Sequence, residues 1–365
     1  MVDVTVLIVK MFETIFFNKL NTMFKLIWWF VLKAMVLYNQ DFIENKPLKY
    51  VDIDKPVPRS DEVLIEIYAC GVCRTDLHIV EGNLPLVKKP IIPGHQVVGK
   101  VVDTGENVVS VDKGALVGVA WLYWSCSECK YCRRDLENLC DKALFTGYSV
   151  DGGYAEYMVA KDKFVYPLKT SLDYVEASPL LCAGAIGYRA LKHTGLLSRG
   201  EGILGLFGFG SSAYLTLLLA KKIGLKVYVF THTRWKIDEA FKLGADWAGD
   251  TYEEISIKLD ASIVYAPSSR VLIEALKKTD RSGRVVIGEI YMEPIEKLDY
   301  KLIWFEKEIK TVANVTRRDV IEFLNLVEKY GIRPRVKTYR LSEANEALEE
   351  LKKTRTIGQI ALRIR

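Results

Sequence analysis

The chain has 365 residues, of which 50% are hydrophobic and 27% are charged, a balance that favours a globular fold with a large core and excludes disordered and collagen-like chains. At about 100 to 200 residues per domain, this length predicts two domains, or conceivably three. The formal net charge is only +5, from 51 Lys and Arg against 46 Asp and Glu, and the basic residues are dispersed, so nucleic acid is a poor candidate partner.

The first 32 residues are rich in aromatic side chains, including Trp28, Trp29 and Phe30. Charged residues interrupt them, and the longest uncharged run, Leu26 to Leu32, is far shorter than the roughly 18 apolar residues that a membrane-spanning helix needs. No small-residue cleavage site follows, so a secretory signal is not indicated. Three interpretations remain: an amphipathic interfacial helix, a partner-docking helix, or an extension upstream of the natural start. We favour the last, and expect a chain that starts at Met35 to be soluble and active.

From about residue 33 to residue 180, short β runs are broken by Gly and Pro, which predicts a mostly β region. After Cys182 the pattern changes, and β runs alternate with segments of helical periodicity, beginning with a strand at Ile203–Phe207 and a helix at about residues 211–223. Such alternation predicts a parallel sheet with helices on both faces. From about Asn314 the chain returns to a helix, a strand and a second helix, which could complete either domain.

Six of the seven cysteines lie within residues 70–140, which suits metal thiolates in a reducing cytosol better than a disulfide framework. Four of them have the spacing C-x2-C-x2-C-x7-C: Cys126, Cys129, Cys132 and Cys140. Four thiolates close a tetrahedral Zn²⁺ site and leave no position for substrate, so this site is predicted to be structural. An iron–sulfur cluster also takes four cysteines, and a zinc ribbon can contact nucleic acid or protein, so the spacing favours zinc without fixing the metal.

A second group of metal-ligand types is spread along the chain, at Cys73, His95 and Cys182. Each has an ordinary explanation when taken singly. A cysteine in an apolar run is usually a small core residue, and a lone histidine is usually a hydrogen-bonded surface or core group. The residues alone therefore leave a three-ligand site open.

A glycine turn follows the first strand of the second half and has the form G-x-G-x-x-A, at Gly208, Gly210 and Ala213. The strand–turn–helix context is the one that a phosphate-binding turn needs. Gly208 permits the tight turn, Gly210 leaves room for a pyrophosphate near the helix N-terminus, and Ala213 lets the helix approach the sheet. Ser211 or Ser212 is expected to cap the helix. The alternative is an ordinary glycine turn of an α/β domain.

The end of the next strand bears on the choice of dinucleotide. NAD-preferring domains place Asp or Glu about 20 residues past the glycine turn, where it accepts bonds from the ribose hydroxyls. Here Thr231 holds that place, and Arg234 follows it. No carboxylate repels a 2′-phosphate, and a hydroxyl with a nearby guanidinium can bind one, so NADP is the predicted preference. The alternative is that Arg234 and Lys236 only form the solvated start of a helix.

Taken together, these motifs resemble the zinc-dependent medium-chain dehydrogenases of the alcohol dehydrogenase superfamily. The shared blocks occur in the family's order: Cys-Gly-Val-Cys-Arg-Thr-Asp-Leu-His from Cys70, Pro-Gly-His ending at His95, the four-cysteine lobe, Asp-Gly-Gly-Tyr-Ala-Glu-Tyr from Asp151, and the turn at Gly208. The similarity extends from about Lys33 to the C-terminus. It implies an α/β protein in which a β-rich GroES-like catalytic domain is joined to a Rossmann domain, a doubly wound parallel sheet that binds the cofactor.

The resemblance also implies two zinc ions per chain. Cys73, His95 and Cys182 would hold the catalytic ion and leave a fourth position open to the substrate oxygen, while the four cysteines of the lobe would hold the structural ion. Cys70 is left over and is interpreted as a small buried residue. Gln96 stands where many members have Glu, which puts any approach of that carboxylate to the metal in doubt.

Further roles follow from the resemblance. Thr75 would be the first carrier of the substrate proton, His78 would relay it to solvent, and Asp76 would accept the free N–H of the ligand histidine. The cofactor contacts would come from seven residues: Arg74, Gly208, Gly210, Ser211, Ala213, Thr231 and Arg234.

The domain boundaries implied are an extension over residues 1–32, the first part of the catalytic domain with both zinc sites over 33–183, the Rossmann domain over 184–314, and a return to the catalytic domain over 315–365. The predicted protein is a cytoplasmic alcohol dehydrogenase that interconverts alcohols with aldehydes or ketones by hydride transfer with NADP or NAD. It would act on small molecules, without nucleic acid or a membrane span, as a homodimer or homotetramer.

Trp121, Leu122, Tyr123 and Trp124 precede the lobe and are expected to wall an apolar pocket that suits medium aliphatic or aromatic substrates. Core packing is the alternative for these side chains. Two other functions fit part of this pattern. One is a zinc-free quinone or enone reductase of the same superfamily, which the full set of metal ligands disfavours. The other is a non-catalytic zinc-ribbon protein whose Rossmann domain serves only as a dinucleotide sensor.

Overall fold

The computed structural model describes residues 31–353 and 358–365. The interpretations of residues 1–30 therefore lie outside the described residues. Within the described ranges, no helix combines the length and the apolar character that crossing a bilayer requires.

The described residues form the following strands: β1 (Val31–Leu37), β2 (Leu48–Asp54), β3 (Glu62–Val72), β4 (Gln96–Thr104), β5 (Leu116–Val119), β6 (Leu122–Trp124), β7 (Leu144–Phe145), β8 (Tyr157–Lys161), β9 (Val165–Pro167), β10 (Ile203–Phe207), β11 (Lys226–Phe230), β12 (Trp247–Gly249), β13 (Leu259–Val264), β14 (Thr279–Ile287), β15 (Glu308–Thr311), β16 (Val336–Arg340) and β17 (Gln359–Arg363). The α-helices are α1 (Arg74–Glu81), α2 (Tyr174–Ala177), α3 (Ala183–Thr194), α4 (Leu196–Arg199), α5 (Ser211–Lys222), α6 (Arg234–Lys242), α7 (Ser269–Lys278), α8 (Arg317–Tyr330) and α9 (Ala344–Lys352).

The N-terminal strand belongs to the folded part of the chain from Val31 onward. β1 pairs antiparallel with β2, and Leu32 and Ala34 are buried within it. The backbone of Met35 also donates to the carbonyl of Tyr154 at 2.8 Å. A chain that started at Met35 would lose the first four residues of β1 with two of its buried side chains, whereas a chain that started at Val31 would keep this strand whole.

The first half of the chain is built on a sheet with β3 at its centre, and β3 pairs antiparallel with its neighbours. The strand order is β16-β17-β3-β4-β5-β9, and β8 pairs with the N-terminal half of β3, on the edge whose C-terminal half pairs with β17. β17 pairs antiparallel with β3, while β16 lies beside β17. The C-terminal stretch, which the residues alone left open, thus joins the sheet of the first half.

The second half forms a six-stranded parallel sheet in the order β12-β11-β10-β13-β14-β15. The order reverses beside β10, the strand that carries the glycine turn, and ligands of such sheets bind at the carboxyl edge at this point. The predicted α/β fold, with a β-rich domain and a parallel-sheet domain, is confirmed.

Between Ala183 and Thr311, two strands and two helices were missed: β12, β15, α3 and the four-residue helix α4. β12 has only three residues, and all four residues of the edge strand β15 are exposed, so neither has an apolar run to mark it. α3 contains Gly184 and Gly187, which are poor helix formers. A Cβ on Gly184 would lie 2.3 Å from the ring of Phe323, and one on Gly187 would lie 2.5 Å from Oγ1 of Thr216. Close packing of α3 against α8 and α5 therefore overrides its low helix propensity.

Candidate active site and metal centres

Cys73, His95 and Cys182 come together at the ends of three different elements. Cys73 immediately precedes α1, Cys182 immediately precedes α3, and His95 immediately precedes β4. One ligand atom from each lies within 4.8 Å of the other two, and Nε2 of His95 is 3.3 Å from Sγ of Cys182. Ligands about 2.0 to 2.3 Å from a tetrahedral zinc ion lie about 3.5 to 3.8 Å from one another, so this geometry is close to that of a zinc site.

The position of the two cysteines favours thiolates. Each stands at the N-terminus of a helix, where the unpaired N–H groups and the helix dipole stabilise negative charge. The hydrogen bond between the two thiols, together with the His95 ring, holds the pKa of the Cys73 thiol well below its ordinary value despite its burial, while the same hydrogen bond and burial raise the pKa of the Cys182 thiol well above its ordinary value. Two thiolates and a neutral imidazole are a ligand set that Zn²⁺ takes in catalytic sites.

Asp76 forms hydrogen bonds with two residues of this cluster and with the backbone beside it. Its Oδ1 lies 2.9 Å from Nδ1 of His95 and 3.3 Å from the backbone N of Gly94. Its Oδ2 accepts from the backbone N–H of Cys73 at 2.9 Å and from the hydroxyl of Tyr154 at 3.2 Å. Because a carboxylate only accepts, Nδ1 of His95 carries the proton and Nε2 keeps its lone pair for a metal ion.

Thr75 and His78 both lie on α1, at the rim of the cluster. Oγ1 of Thr75 is 3.7 Å from Sγ of Cys73. His78 is half-buried, and its Nδ1 lies 3.0 Å from the side-chain amide nitrogen of Asn83, which donates to it. Burial, reinforced by the charge of Arg74, lowers the pKa of His78 below its ordinary value. The imidazole is therefore neutral at pH 7 and can accept a proton.

Trp121 forms an aromatic wall beside the cluster. Its ring meets the ring of His95 edge-on at 4.9 Å and stacks against Phe145 at 5.2 Å and Tyr148 at 5.8 Å. Such a wall excludes water from one side of the ligand histidine. Trp121 is one of the four residues, 121–124, that were expected to line a substrate pocket, and it contacts the cluster through the ring of His95.

For the other three residues, the structure supports either core packing or a cavity away from the cluster. Leu122 is buried in β6, and the hydroxyl of the buried Tyr123 donates to Glu62 at 3.0 Å. Tyr123 and Trp124 line a different cavity of about 650 Å³, whose lining contains none of the three cluster residues.

Gln96 and Cys70 lie next to the cluster without joining it. Gln96 is buried, and its Oε1 accepts from the backbone N–H of Ala183 at 3.5 Å, directly after the ligand Cys182. Its neutral amide thus braces the start of α3 where a carboxylate would add charge. Cys70 is fully buried, and burial raises the pKa of its thiol well above the ordinary value, as expected for a core residue.

The four cysteines of the lobe lie between β6 and β7 and also converge on one point. Their sulfur atoms all lie within 4.8 Å of one another, with Cys126 3.9 Å from Cys132 and 3.5 Å from Cys140. Thiolates about 2.3 Å from a tetrahedral zinc ion are about 3.8 Å apart, which matches these distances. The backbone N–H of Cys129 points at Sγ of Cys126 at 3.4 Å, as in a preformed thiolate site.

The lobe is fastened to the start of α8. The buried carboxylate of Glu137 accepts from both the backbone N–H and the side-chain Nε of Arg317, each at 3.0 Å. The amide of Asn138 donates to the carbonyl of Ala313 at 2.6 Å. Ala313 and Arg317 lie where the chain leaves the parallel sheet, so the lobe supports the link between the two halves.

The glycine turn after β10 is shaped to receive a phosphate group. Gly208 has a φ of +89°, a conformation that favours glycine, and its N–H donates to the carbonyl of Phe230 at 2.8 Å. A Cβ added at Gly210 would meet no atom within 4 Å, so the turn leaves open space before the helix. Ala213 is fully buried against the sheet. The turn therefore fits the pyrophosphate of a dinucleotide.

The predicted serine cap of α5 is wrong. Gly210 is the residue that precedes the helix, and no side chain caps it. Ser211 lies inside the first turn, where its hydroxyl donates to the carbonyl of Gly358 at 3.3 Å, and the amide of Gln359 donates back to the carbonyl of Ser211 at 3.0 Å. The first N–H groups of α5 thus have no side-chain acceptor, as suits an anion site.

The end of β11 presents hydroxyl and cationic groups. Thr231 is buried with its Oγ1 accepting from the backbone N–H of Thr233 at 3.4 Å, and Arg234 is exposed at the start of α6. Lys236, which the alternative interpretation placed on a solvated helix start, is buried, and its pKa is lowered by that burial and by the charge of Arg74. Among the described residues, no carboxylate forms an ion pair with Lys236.

Sequence reasoning missed one residue of interest, Glu289, which follows β14. It is half-buried, burial raises its pKa to about 8, and it is within electrostatic reach of Arg74 and Cys73. The available signal was a carboxylate directly after a buried strand at the carboxyl edge of a parallel sheet.

Comparisons with known proteins agree with this geometry. Residues 59–170 match the sequence model of the alcohol dehydrogenase GroES-like domain. A probable alcohol dehydrogenase, AdhA, of Mycobacterium tuberculosis is 39% identical over 328 residues, which cover 88% of this chain and 94% of that protein.

Two solved structures are similar in fold. The cinnamyl alcohol dehydrogenase SbCAD4 of Sorghum bicolor aligns with a TM-score of 0.82 at 25% identity, covering 91% of this chain and 97% of that one. A thermostable alcohol dehydrogenase of Pyrobaculum aerophilum, with cobalt and zinc bound, aligns with a TM-score of 0.82 at 23% identity, covering 91% of this chain and 99% of that one.

Proposed function

The chain belongs to the alcohol dehydrogenases of the medium-chain dehydrogenase/reductase superfamily, and we propose that Cys73, His95 and Cys182 form its catalytic zinc site. The protein interconverts alcohols with aldehydes or ketones by hydride transfer with NAD(P). The observation that carries the site assignment is the convergence of these three ligand atoms within 4.8 Å, at the ends of three separate elements.

The residues of this cluster fit the ion that the family implies, because two thiolates and one imidazole leave a tetrahedral site with one open position. When bound, zinc acts as a Lewis acid on the substrate oxygen, and NAD(P) takes or gives the hydride. The chain holds the ligands in place: Asp76 fixes the tautomer of His95, and the starts of α1 and α3 stabilise the thiolates. Trp121 shields the site from water.

The proton of the alcohol leaves through residues of α1. The hydroxyl of Thr75, next to Cys73, is placed to take this proton, and His78 passes it to solvent. Burial keeps His78 neutral at pH 7, and Asn83 orients its ring. Both properties support its role as a proton acceptor.

The four-cysteine lobe is proposed as a structural zinc site, which gives two zinc ions per chain. Its sulfur–sulfur distances support this assignment, and four protein ligands leave no position for substrate. The ion would hold the lobe in the shape that lets Glu137 and Asn138 reach Arg317 and Ala313.

We propose NADP as the preferred cofactor. Gly208 and Gly210 would receive the pyrophosphate, with Ser211 and Ala213 in the first turn of the helix, and Arg74 would contact the cofactor from α1. The 2′-phosphate would meet Thr231, Arg234 and the unpaired Lys236: one hydroxyl and two cations without a competing carboxylate.

The division into domains, the assembly and the compartment complete the proposal. Residues 33–183 and 315–365 would form the catalytic domain and 184–314 the cofactor domain. A homodimer is supported by β15, an exposed edge strand next to Trp304 and Phe305, which are also exposed. A cytoplasmic location is supported by the seven free cysteines, because metal ligands must stay reduced.

The test of the site combines metal content with turnover. Wild-type protein should contain two zinc ions per chain and oxidise alcohols with NADP or NAD, whereas Cys182→Ala should retain one zinc ion and lose turnover. Cys70→Ala is the matched control, because Cys70 is a buried cysteine outside both clusters. A Cys182→Ala protein that keeps both its second zinc ion and its activity would refute the assignment, and so would a Cys70→Ala protein that loses them.

A further inference from the structure

A carboxylate that neither the zinc sites nor the proton relay uses lies at the carboxyl edge of the parallel sheet. Glu289 follows β14, separated from it only by Gly288. Phe207 of β10, Val264 of β13 and Ile287 of β14 lie in register side by side. The glycine turn after β10 and Glu289 after β14 therefore leave the sheet at the same edge, two strands apart, where the ligands of such sheets bind.

The turn that carries Glu289 is held by packing. The N–H of Gly288 donates to the carbonyl of Val264 at 2.9 Å, and a Cβ on Gly288 would lie 2.7 Å from the ring of Tyr265. That ring is buried, and its hydroxyl is 2.7 Å from Oγ1 of Thr216. Because no larger residue fits at Gly288, the start of the segment with Glu289 has a defined position.

The surroundings of Glu289 link it to the catalytic cluster. Cys73 and Arg74, at the start of α1, both lie within electrostatic range of the carboxylate: Arg74 favours its charge and Cys73 opposes it. Among the described residues, none forms a hydrogen bond or an ion pair with Glu289. A half-buried carboxylate without a donor is costly in free energy, and a ligand that brings a donor removes this cost.

We propose that Glu289 is a specificity-determining residue that accepts a hydrogen bond from a second polar group of the alcohol substrate. The enzyme would then favour diols or amino alcohols over alcohols with a purely apolar chain. This inference rests on the proposed function, since the substrate must reach the Cys73 cluster with its reacting hydroxyl. Arg74 is assigned to the cofactor, and its guanidinium would then be engaged by phosphate, which leaves the carboxylate free for substrate.

The experiment compares alcohols of equal chain length. The value of kcat/KM is measured for 1-butanol, for 1,2-, 1,3- and 1,4-butanediol and for 4-amino-1-butanol, with wild type, Glu289→Gln and Glu289→Leu. Wild type should prefer at least one of the bifunctional alcohols to 1-butanol. Above pH 8, where Glu289 is ionised, this ratio should fall by about 10- to 100-fold in Glu289→Leu, the range for losing a hydrogen bond to a charged group, with 1-butanol turned over at least as well as before.

Two controls separate substrate selection from a structural effect. Glu296→Gln removes an exposed carboxylate seven positions further along the chain and should leave the ratio unchanged. The dissociation constant of NADPH, measured by its fluorescence, and the melting temperature should be the same in Glu289→Leu and wild type. Fluorescence titration of the enzyme–NADPH complex with the preferred diol should show weaker binding in the variant.

Three results would overturn the inference. One is a bifunctional-to-simple alcohol ratio that does not change in Glu289→Leu. Another is a loss of NADPH affinity with an unchanged ratio, which would assign Glu289 to the cofactor. A wild-type enzyme that oxidises 1-butanol but prefers it to every bifunctional alcohol would also refute it and leave the proposed function intact, whereas a wild type inactive on all alcohols would refute that function itself.

Discussion

Nδ1 of His95 lies 2.9 Å from Oδ1 of Asp76, with 1% and 0% of the two side chains exposed. Burial opposes the charged imidazole, but the carboxylate of Asp76, together with Cys73, more than offsets this effect and raises the pKa of His95 to about 10. A metal ion at Nε2 takes the place of that second proton. Asp76 therefore determines both the tautomer and the basicity of the ligand.

The first prediction concerns this pair. Asp76→Asn keeps the shape of the side chain but removes its charge and places an amide among four donors. The affinity of the catalytic site for zinc should fall by about 10- to 100-fold, as measured by competition with a chelator. Asp103→Asn, on an exposed carboxylate of β4, is the matched control. Equal zinc affinity in Asp76→Asn and wild type would contradict the assigned role.

The relay predicts different effects for two residues of α1. Thr75→Ala should lower kcat for alcohol oxidation by about 100-fold, because no hydroxyl remains beside Cys73 to take the substrate proton. His78→Gln should cost less, because water can replace a residue at the solvent end. A primary isotope effect with deuterated alcohol establishes that hydride transfer is rate-limiting, and an unchanged kcat in Thr75→Ala would then reject its role.

The pH profile tests His78 separately. Burial lowers the pKa of His78 below 6.5. The ring is therefore neutral at pH 7 and takes up a proton only when the pH falls below 6.5. Protonated His78 cannot accept the substrate proton, and the rate of alcohol oxidation in wild type should therefore decline on the acid side of pH 6.5. His78→Gln should abolish this acid limb; an identical acid limb in the variant would show that another group titrates.

The sequence predicted most readily what depends on local spacing. The four lobe cysteines fall within 15 residues, and the glycine turn directly follows its strand, so both can be recognised without tertiary information. The convergence of Cys73 with Cys182 needed the family resemblance, because more than one hundred residues separate them along the chain. Glu289 was missed, and the burial of Lys236 was not foreseen, because a charged group that is buried without an ion-pair partner among the described residues can be recognised only in the tertiary structure.

The lobe predicts a stability effect that differs from the effect on catalysis. Cys132→Ala removes one ligand of the proposed structural zinc site and loosens the loop through which Glu137 holds Arg317. The melting temperature should fall by several degrees, and one zinc ion per chain should be lost. Cys182→Ala is the comparison, since it should keep the fold while losing turnover. A Cys132→Ala protein as stable as wild type would contradict a structural role.

The N-terminal boundary is predicted at Val31. A chain that starts there keeps the whole of β1, whereas one that starts at Met35 loses the buried Leu32 and Ala34 and the contact of Lys33 with Glu156, whose Oε2 accepts from the Lys33 backbone at 2.8 Å. Burial of one leucine is worth about 2 kcal/mol, so the shorter chain should unfold at a lower temperature. Equal melting temperatures for the two chains would contradict this boundary, and loss of activity or of membrane association in the Val31 chain would assign a purpose to the preceding residues.

The cofactor prediction rests on the end of β11. Thr231 stands where an NAD-preferring domain has an acidic residue, and Arg234 and Lys236 follow on the next helix without a carboxylate partner among the described residues. A 2′-phosphate would form charge-assisted hydrogen bonds there, whereas the ribose hydroxyls of NADH would find no carboxylate acceptor.

The measurement that tests this preference is kcat/KM with NADPH and with NADH on one aldehyde. Wild type should favour NADPH, and Arg234→Ala and Lys236→Ala should each reduce its use by about tenfold or more while sparing NADH. Lys242→Ala, at the far end of α6, is the control. A clear preference for NADH, or undiminished use of NADPH in both variants, would overturn this assignment.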